Sequence, residues 1–262
     1  MNDGDSIEND MREFEAKSTY DELKLKYYDN QDFFKYLDTS RLDSIYVSEG
    51  VDYVHFNYEI RNPEMKFILH SGFKTLPGID LDDSFTEFVV PESIENVHGI
   101  IGTFIEKIVF PDGVKEISGC NNMYFLGEIN LPDSVEVLSG FIDCPKLKQV
   151  ALPKNLKRLE AGAFEVSPTN ILNNTRYKSD ERLQEVYKLF DCEGREKSKR
   201  ITAWSEIRLP EGIEYVGVNC FSRYNDVTYY LSKETDTKNW SPEWRDIVDA
   251  NCKYRKADVV LY

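Results

Sequence analysis

Hydrophobic and polar positions recur along this chain with a period of about 21 residues, which is the signature of a stacked repeat. Aligned on a proline, four copies read FTEFVVPESIENV (85–97), IEKIVFPDGVKEI (105–117), LGEINLPDSVEVL (126–138) and LKQVALPKNLKRL (147–159), and a fifth, WSEIRLPEGIEYV, occupies 204–216. The first four prolines, Pro91, Pro111, Pro132 and Pro153, are evenly spaced, whereas Pro210 follows only after a long gap.

Each copy carries apolar residues at the same five positions, which are −6, −3, −1, +3 and +6 counted from its proline. The spacing of −3 and −1 is that of a β-strand, and the proline ends the strand and begins a turn. One copy cannot bury these side chains alone. Stacked copies align them in columns, where each buried large side chain contributes about 1.5–3 kcal/mol. The pattern predicts a β-rich solenoid of five short repeats.

Charge alternates from copy to copy at position +4, in the order Glu95, Lys115, Glu136, Lys157, Glu214. In stacked copies each neighbouring pair then has opposite charge, which stabilises the stack by about a few tenths of a kcal/mol per pair. A charge-coded binding face is the alternative interpretation. The alternation stays in phase only if the fifth copy stacks directly on the fourth, so the residues between them must leave the stack and return.

That excursion, residues 165–203, contains one segment with helical periodicity. Leu183, Val186, Tyr187 and Phe190 have i, i+3, i+4, i+7 spacing, and Ser179 is placed to cap the helix. Long insertions are often functional, so a partner contact is one interpretation. Packing of the apolar helix face back onto the solenoid is the other.

A candidate partner surface is the outward position −2 of the repeats. This row reads Val89, Val109, Asn130, Ala151 and Arg208. The insertion adds the candidates Tyr187, Lys197, Lys199 and Arg200. Outward rows are where solenoids usually meet protein partners. A row of β-forming residues packed against a flanking element is an equally good interpretation.

The chain divides into four predicted regions. Residues 1–84 are an acidic capping region, 85–164 hold repeats one to four, 165–203 form the helical excursion, and 204–262 hold the fifth repeat and a Trp-rich cap. Within 1–84 we expect one or two short helices in 19–37 and a hairpin over 42–60 that turns at Glu49-Gly50. Leu76-Pro77 echoes the repeat without its apolar −3 position. This small α+β region would cover the open edge of the first repeat.

The proline-ended copies resemble the BspA-like leucine-rich repeat family, whose units carry Leu-Pro and often Ala-Phe. Gly162-Ala163-Phe164 and Asn219-Cys220-Phe221 match the second element, and Asn239-Trp240-Ser241-Pro242-Glu243-Trp244 is similar to the family's closing segment. The resemblance covers roughly 85–164 and 201–262. It implies a bacterial binding scaffold, often on the cell surface. The repeat itself implies no enzymatic activity.

Composition narrows the function further. The 262 residues carry a net charge of −15, of which residues 1–100 contribute −13 and residues 101–262 contribute −2. This acidity disfavours nucleic acid and membrane surfaces as partners. No apolar run reaches eighteen residues, and the first residues lack the order of a secretory signal, so we expect a cytoplasmic protein, with the family's cell surface as the alternative.

Chemistry-bearing residues give no catalytic pattern. The three histidines lie apart, the five cysteines include no CxxC pair, and no nucleotide-binding or hydrolase motif occurs. We therefore expect reduced structural thiols, no cofactor, no metal and no enzyme. Two hypotheses remain: a scaffold that binds an unidentified protein, or a cytoplasmic inhibitor or immunity-type protein whose acidic N-terminal face blocks a basic partner. Salt-sensitive binding that depends on Asp80, Asp82 and Asp83 would favour the inhibitor.

Overall fold

The structure, a computed structural model, describes residues 22–25, 44–47, 53–55, 66–69, 73–81, 85–147, 151–174, 179–190, 205–221, 227–248 and 254–262. The strands are β1 (Glu22–Leu25), β2 (Ser44–Val47), β3 (Tyr53–His55), β4 (Lys66–Leu69), β5 (Thr75–Leu76), β6 (Gly78–Asp80), β7 (Glu87–Val89), β8 (Asn96–Val97), β9 (Ile100–Ile101), β10 (Lys107–Val109), β11 (Glu116–Ile117), β12 (Cys120–Asn121), β13 (Glu128–Ile129), β14 (Val137–Leu138), β15 (Arg158–Leu159), β16 (Glu206–Arg208), β17 (Tyr215–Val216), β18 (Thr228–Leu231), β19 (Asp246–Val248), β20 (Tyr254–Lys256) and β21 (Asp258–Leu261). The helices are α1 (Pro168–Asn173) and α2 (Leu183–Tyr187).

The repeats wind into a solenoid whose short strands form parallel ladders from one coil to the next. Positions −4 to −2 form the front sheet, in the order β13-β10-β7. Positions +5 and +6 form the long sheet, β17-β15-β14-β11-β8-β5, whose six strands give about six coils. Positions +9 and +10 continue into the back sheet, β12-β9-β6-β3. The predicted β-rich solenoid is confirmed, with about six coils rather than five.

The core consists of columns of equivalent side chains. At position +6 of the long sheet every side chain is 0–1 % exposed, and the column is Leu76, Val97, Ile117, Leu138, Leu159 and Val216. Parallel in-register pairing places each of these directly against its equivalents in the adjacent coils. Aromatic rings form a second column with centroids 5.0–6.3 Å apart, in the order Phe110, Phe141, Phe164, Phe221, Tyr229 and Trp244. The regular repeat of apolar positions in the sequence therefore produces one continuous apolar core.

The additional coil lies before Phe85. Leu76 pairs with Val97 and therefore occupies position +6, whereas the sequence alignment had placed Leu76-Pro77 at the Leu-Pro position. Counting back from Leu76 puts His70 at the proline position, with Phe67, Leu69 and Phe73 at −3, −1 and +3. Four of the five apolar positions are kept, whereas Glu64 stands at −6 and His70 replaces the proline. An alignment that requires proline therefore overlooks this coil.

The hairpin predicted over 42–60 is wrong. β2 pairs in parallel with β1 and β4, with partners one coil apart, and β3 pairs in parallel with β6. The helix predicted in 19–37 is also wrong at Glu22–Leu25, which is strand β1, and the rest of that interval lies outside the described residues. Alternating apolar residues next to Gly50 suggested a local turn, but the same alternation serves equally well for pairing with the next coil.

The excursion leaves the stack and returns as predicted. Leu159 in β15 pairs directly with Val216 in β17, so the fifth proline-ended copy stacks on the fourth. The described part of the insertion carries two short helices rather than one, and α2 begins at Leu183 with Arg182, not Ser179, at its N-cap. The Asp180 carboxylate accepts hydrogen bonds from the Arg182 backbone N–H and guanidinium, which holds this segment as a turn and delays the helix.

The buried long-sheet column gives a test of the core. Leu138 is fully buried, whereas Leu131, at the Leu-Pro position, is only partly buried. We expect Leu138→Ala to lower the free energy of unfolding by about 2–5 kcal/mol because it leaves a cavity between two coils. Leu131→Ala should cost less. Urea unfolding followed by circular dichroism measures both variants, and equal losses would show that the column is not the centre of the core.

Candidate protein-binding surface

Two valines lie side by side on the outward face of the front sheet. Val89 in β7 pairs in register with Val109 in β10. Val89 is 59 % exposed and Val109 is half-buried. Next to them the Lys107 Nζ lies 2.8 Å from the Glu87 Oε1. The result is a small apolar patch, the Val89–Val109 patch, bordered by an ion pair whose charges already balance.

The other predicted row residues have different surroundings. The Asn130 side-chain amide accepts a hydrogen bond from the Phe110 N–H (3.0 Å) and donates one to the Phe110 carbonyl (2.9 Å). It thus replaces a backbone pair between coils. Ala151 is exposed. Arg208 is on β16, in a separate terminal sheet of order β16-β18-β21, where its guanidinium lies 4.3 Å from the centroid of the Tyr230 ring.

The insertion is anchored to the solenoid by apolar contacts. Ile171, Leu183 and Val186 are fully buried, and Phe190 is 4 % exposed, all within the core cluster. This packing matches the interpretation in which the helix face returns to the solenoid. Tyr187 is half-buried, and its hydroxyl oxygen is shielded from solvent. Lys197, Lys199 and Arg200 lie outside the described residues.

Polar contacts fix the same insertion at its base. The Arg182 guanidinium stacks 3.5 Å from the centroid of Phe104, which itself stacks on Phe125. Lys146 lies over the Phe125 ring at 4.1 Å and forms an ion pair with Glu185 at 3.2 Å. These cation–π contacts close the corner of the solenoid beneath α2. The described part of the insertion is therefore a fixed part of the body.

The buried carboxylate of Asp143 holds the first half of the insertion. It is 2 % exposed and accepts hydrogen bonds from the Ser167 backbone N–H and from the Asn170 amide. At the other end of α1, the Asn174 amide donates to the Tyr124 hydroxyl at 2.8 Å. These partners compensate the cost of burying polar groups. They were invisible in the sequence because they join residues that lie far apart along the chain.

The alternating charges at +4 form a ladder of ion pairs along the solenoid. Glu95 lies between Lys115 (2.7 Å) and Lys74 (2.9 Å), and Lys157 pairs with Glu136 at 2.6 Å. Hydrogen bonds from Lys115 and then Lys74 hold the pKa of Glu95 down to about 2. Each of these charges faces opposite charges in adjacent coils. The arrangement favours stacking rather than recognition of a partner.

Sequence reasoning missed the outward face of the long sheet. Its row at +5 reads Thr75, Asn96, Glu116, Val137, Arg158 and Tyr215. The Arg158 guanidinium lies 4.6 Å from the Tyr215 ring centroid and 2.8 Å from Glu160. The sequence feature that could have indicated this outward face is the single apolar residue at +6, which lies between more polar neighbours. This face is charged and mixed, in contrast to the Val89–Val109 patch.

A histidine, a serine and a glutamate meet on the long-sheet side without the geometry of a catalytic triad. The Ser118 Oγ lies 2.9 Å from the His98 Nδ1, and the Glu116 Oε1 lies 3.8 Å from the same nitrogen. A triad requires the serine and the carboxylate on opposite ring nitrogens. The Ser118 hydroxyl also has the Val97 carbonyl as an acceptor at 3.1 Å. The group therefore bridges two coils.

The described cysteines are free and buried, as predicted for structural thiols. Burial raises the pKa of Cys120 and of Cys220 to about 12, and it raises the pKa of Cys144 as well. These thiols are protonated at neutral pH and are poor nucleophiles. Within the described ranges no cluster of His, Cys, Asp and Glu is arranged to hold a metal ion, and no helix has the length and hydropathy needed to cross a membrane.

Parallel coils of about 21 residues with apolar columns define the class of leucine-rich-repeat solenoids. A family model described as BspA type leucine rich repeat region (6 copies) matches residues 101–186. This match confirms that the repeats are similar to the BspA-type leucine-rich repeat family, as the sequence had indicated. Comparison with the curated proteins and with the solved structures found no significant match.

The charge ladder predicts a pH effect at Glu95. The pKa of Glu95 in the folded chain is about 2, below its ordinary value of 4.5. Its contribution to stability is therefore present above pH 4.5 and is lost as the pH falls toward 2. We expect Glu95→Gln to destabilise the protein at pH 7 and to have a smaller effect at pH 3. Urea unfolding at both pH values measures the difference.

Glu92→Gln is the matched control, because Glu92 is an exposed glutamate of the same coil outside the ladder. An effect of Glu95→Gln that equals the control at pH 7 would show that the ladder contributes nothing.

Proposed function

We propose that this protein is a non-enzymatic scaffold that binds another protein through the Val89–Val109 patch of the front sheet. The observation that carries the proposal is the 59 % exposure of Val89 beside a second outward valine on the next strand. Interface centres are enriched in apolar groups, and exposed apolar clusters on repeat sheets mark contact sites. The repeat fold supports the scaffold role, and the patch adds a specific place for contact.

The insertion is the weaker candidate for the contact. Leu183 and Val186 are fully buried against the solenoid, so the apolar face of α2 is already occupied. Asn130 is likewise engaged, since both ends of its amide bond the Phe110 backbone. Among the residues proposed for the surface, Val89 and Val109 carry apolar area that remains available. The partner is therefore expected to bring an apolar group of its own to the front sheet.

A substitution pair with a matched control tests the surface. Val89→Lys/Val109→Lys places two charges at the centre of the patch, where a partner would have to desolvate them. Val137→Lys makes the same change on the outward face of the long sheet. Proteins that the wild-type chain captures from the native cell are identified by mass spectrometry. The affinity of the protein that binds most tightly is then measured by titration. We expect the double variant to weaken binding by about tenfold or more.

The control variant should bind as the wild type does. Unchanged affinity in the double variant, together with a loss in Val137→Lys, would move the contact to the long sheet. Circular dichroism of all the variants shows whether the fold is retained.

A second candidate, an inhibitor or immunity-type protein, is supported by the distribution of charge. Residues 1–100 carry −13 of the net −15, which suits electrostatic attraction of a basic partner in the cytoplasm. Asp80 is 8 % exposed and contributes little to such a face. Of the three aspartates predicted to take part in an acidic face, Asp82 and Asp83 are therefore the ones to substitute in a test of this candidate.

Salt separates the two candidates. Binding through the Val89–Val109 patch should change little between about 0.05 and 0.5 M salt, whereas acidic recognition of a basic partner should weaken steeply over that range. Titration of the captured protein at several salt concentrations measures this. If affinity falls steeply with salt in the wild type, and if Asp82→Asn/Asp83→Asn removes this salt dependence, the inhibitor is favoured and the scaffold proposal is contradicted.

A further inference from the structure

The last strand of the terminal sheet carries an unusual concentration of exposed apolar residues. Val260 is 42 %, Leu261 57 % and Tyr262 50 % exposed. In the described part of the chain, Val89 is the only other exposed large hydrophobic residue. Three of these four residues are therefore consecutive, and they lie on or directly after β21, the outermost strand of its sheet.

Among the described strands, none lies on the outer edge of β21. The Tyr262 N–H donates to the Leu231 carbonyl (3.0 Å), and the Lys233 N–H donates to the Tyr262 carbonyl (3.1 Å), so Tyr262 faces β18. Because successive residues of a strand face opposite edges, the N–H and C=O groups of Val259 and Leu261 face away from β18. No other described strand pairs with them. Proline, lysine or a bulge commonly protects such an edge, and β21 has none of them.

The long sheet ends differently. Beyond β17, the Ser241 N–H donates to the Val216 carbonyl (3.0 Å), and the Trp240 indole N–H donates to the Glu214 carbonyl (3.0 Å). Trp240 is 5 % exposed, so the Trp-containing segment covers that end of the core. Within the described residues, the long sheet is therefore covered beyond β17, whereas no strand lies beyond β21.

The inward side of β21 continues the core without a cover. Val259 pairs with Tyr229, and Leu261 pairs with Leu231. Tyr229 and Leu231 are 1 % and 3 % exposed, whereas Leu261, in the equivalent position one strand further out, is 57 % exposed. One further strand beside β21 would bury Leu261 in the same way that β21 buries Leu231.

We propose that the outer edge of β21 binds β21 of a second copy of this chain, in an antiparallel pair about a twofold axis at Val260. In this register Val259 of each copy lies opposite Leu261 of the other, so the four free N–H groups and four free C=O groups of the two copies bond one another. Val260 faces its own equivalent across the axis. The two open ends of the core then cover each other, which is an isologous contact.

Charge also fits this arrangement. Asp258 and Lys233 are exposed, and neither has an ion pair in the described structure. Asp258 begins β21, whereas Lys233 follows β18 next to Tyr262, at the opposite end of the strand. An antiparallel pair brings Asp258 of one copy to the end that carries Lys233 of the other. Like charges are kept apart along the strand, so the pairing is self-complementary.

Cross-linking at the axis tests the geometry directly. In an antiparallel non-hydrogen-bonded pair the Cα atoms are about 4.5 Å apart, which suits a disulfide. We expect Val260→Cys to form a covalent dimer on mild oxidation of the full chain. Val89→Cys is the matched control, because it places the same thiol on the other exposed valine. Equal dimer yields from the two variants would overturn the proposal.

Sedimentation equilibrium tests the association without a cross-link. The wild-type chain should form dimers, and Val260→Lys should raise the dissociation constant by about tenfold or more by apposing two charges at the axis. Asp258→Lys should weaken the dimer, and Lys233→Asp combined with it should restore the association. A monomeric wild type would overturn the proposal. So would a double variant that fails to restore the association lost in Asp258→Lys. A monomeric wild type would indicate that the outer edge of β21 does not pair with a second copy and is free to bind a different protein.

Discussion

In-register parallel stacking of the coils is the constraint on which the rest of this structure depends. Leu138 is buried because Ile117 and Leu159 lie on either side of it, each in the next coil of the chain. The same register brings Lys115 to Glu95 and closes the aromatic column through Phe141 and Phe164. A slip by one residue would turn every apolar column outward at once, so the columns and the charge ladder enforce one register together.

Stacking in one dimension also explains how the fold accommodates an insertion. Each coil contacts only its neighbours, so residues can be added at a corner without changing the ladder. Leu159 and Val216 pair directly although the whole insertion separates them in the chain. Closing a longer loop costs only about 0.6 kcal/mol per doubling of its length. The insertion compensates further by burying Leu183 and Val186 and by placing Arg182 on the Phe104 ring.

The features that repeat could be predicted from the sequence, and the features that occur once could not. The repeat period, applied to one coil after another, predicts the apolar columns. It also predicts the pairing of Leu159 with Val216 and the charged neighbours of Lys115. The coil that contains Phe67 and Leu76 was missed because His70 stands at the proline position and Glu64 at the apolar −6 position. The contacts of single side chains escaped prediction for another reason. The Asn130 amide could have faced a partner, and only the three-dimensional positions of adjacent coils show that it bonds Phe110. A repeat period says which side chains share a row, whereas it does not say which of them the scaffold itself uses.

The limited size of the Val89–Val109 patch restricts how a partner can bind. A stable interface buries about 800 Å² per partner, which is far more than two valine side chains supply. The rest of the contact has to include the Glu87–Lys107 pair, whose charges are already 2.8 Å apart and need no counter-charge from the partner. Such a rim can be covered without leaving a buried charge unpaired. The geometry thus favours a partner that places one apolar anchor between the valines and covers the surrounding ion pair with neutral polar groups.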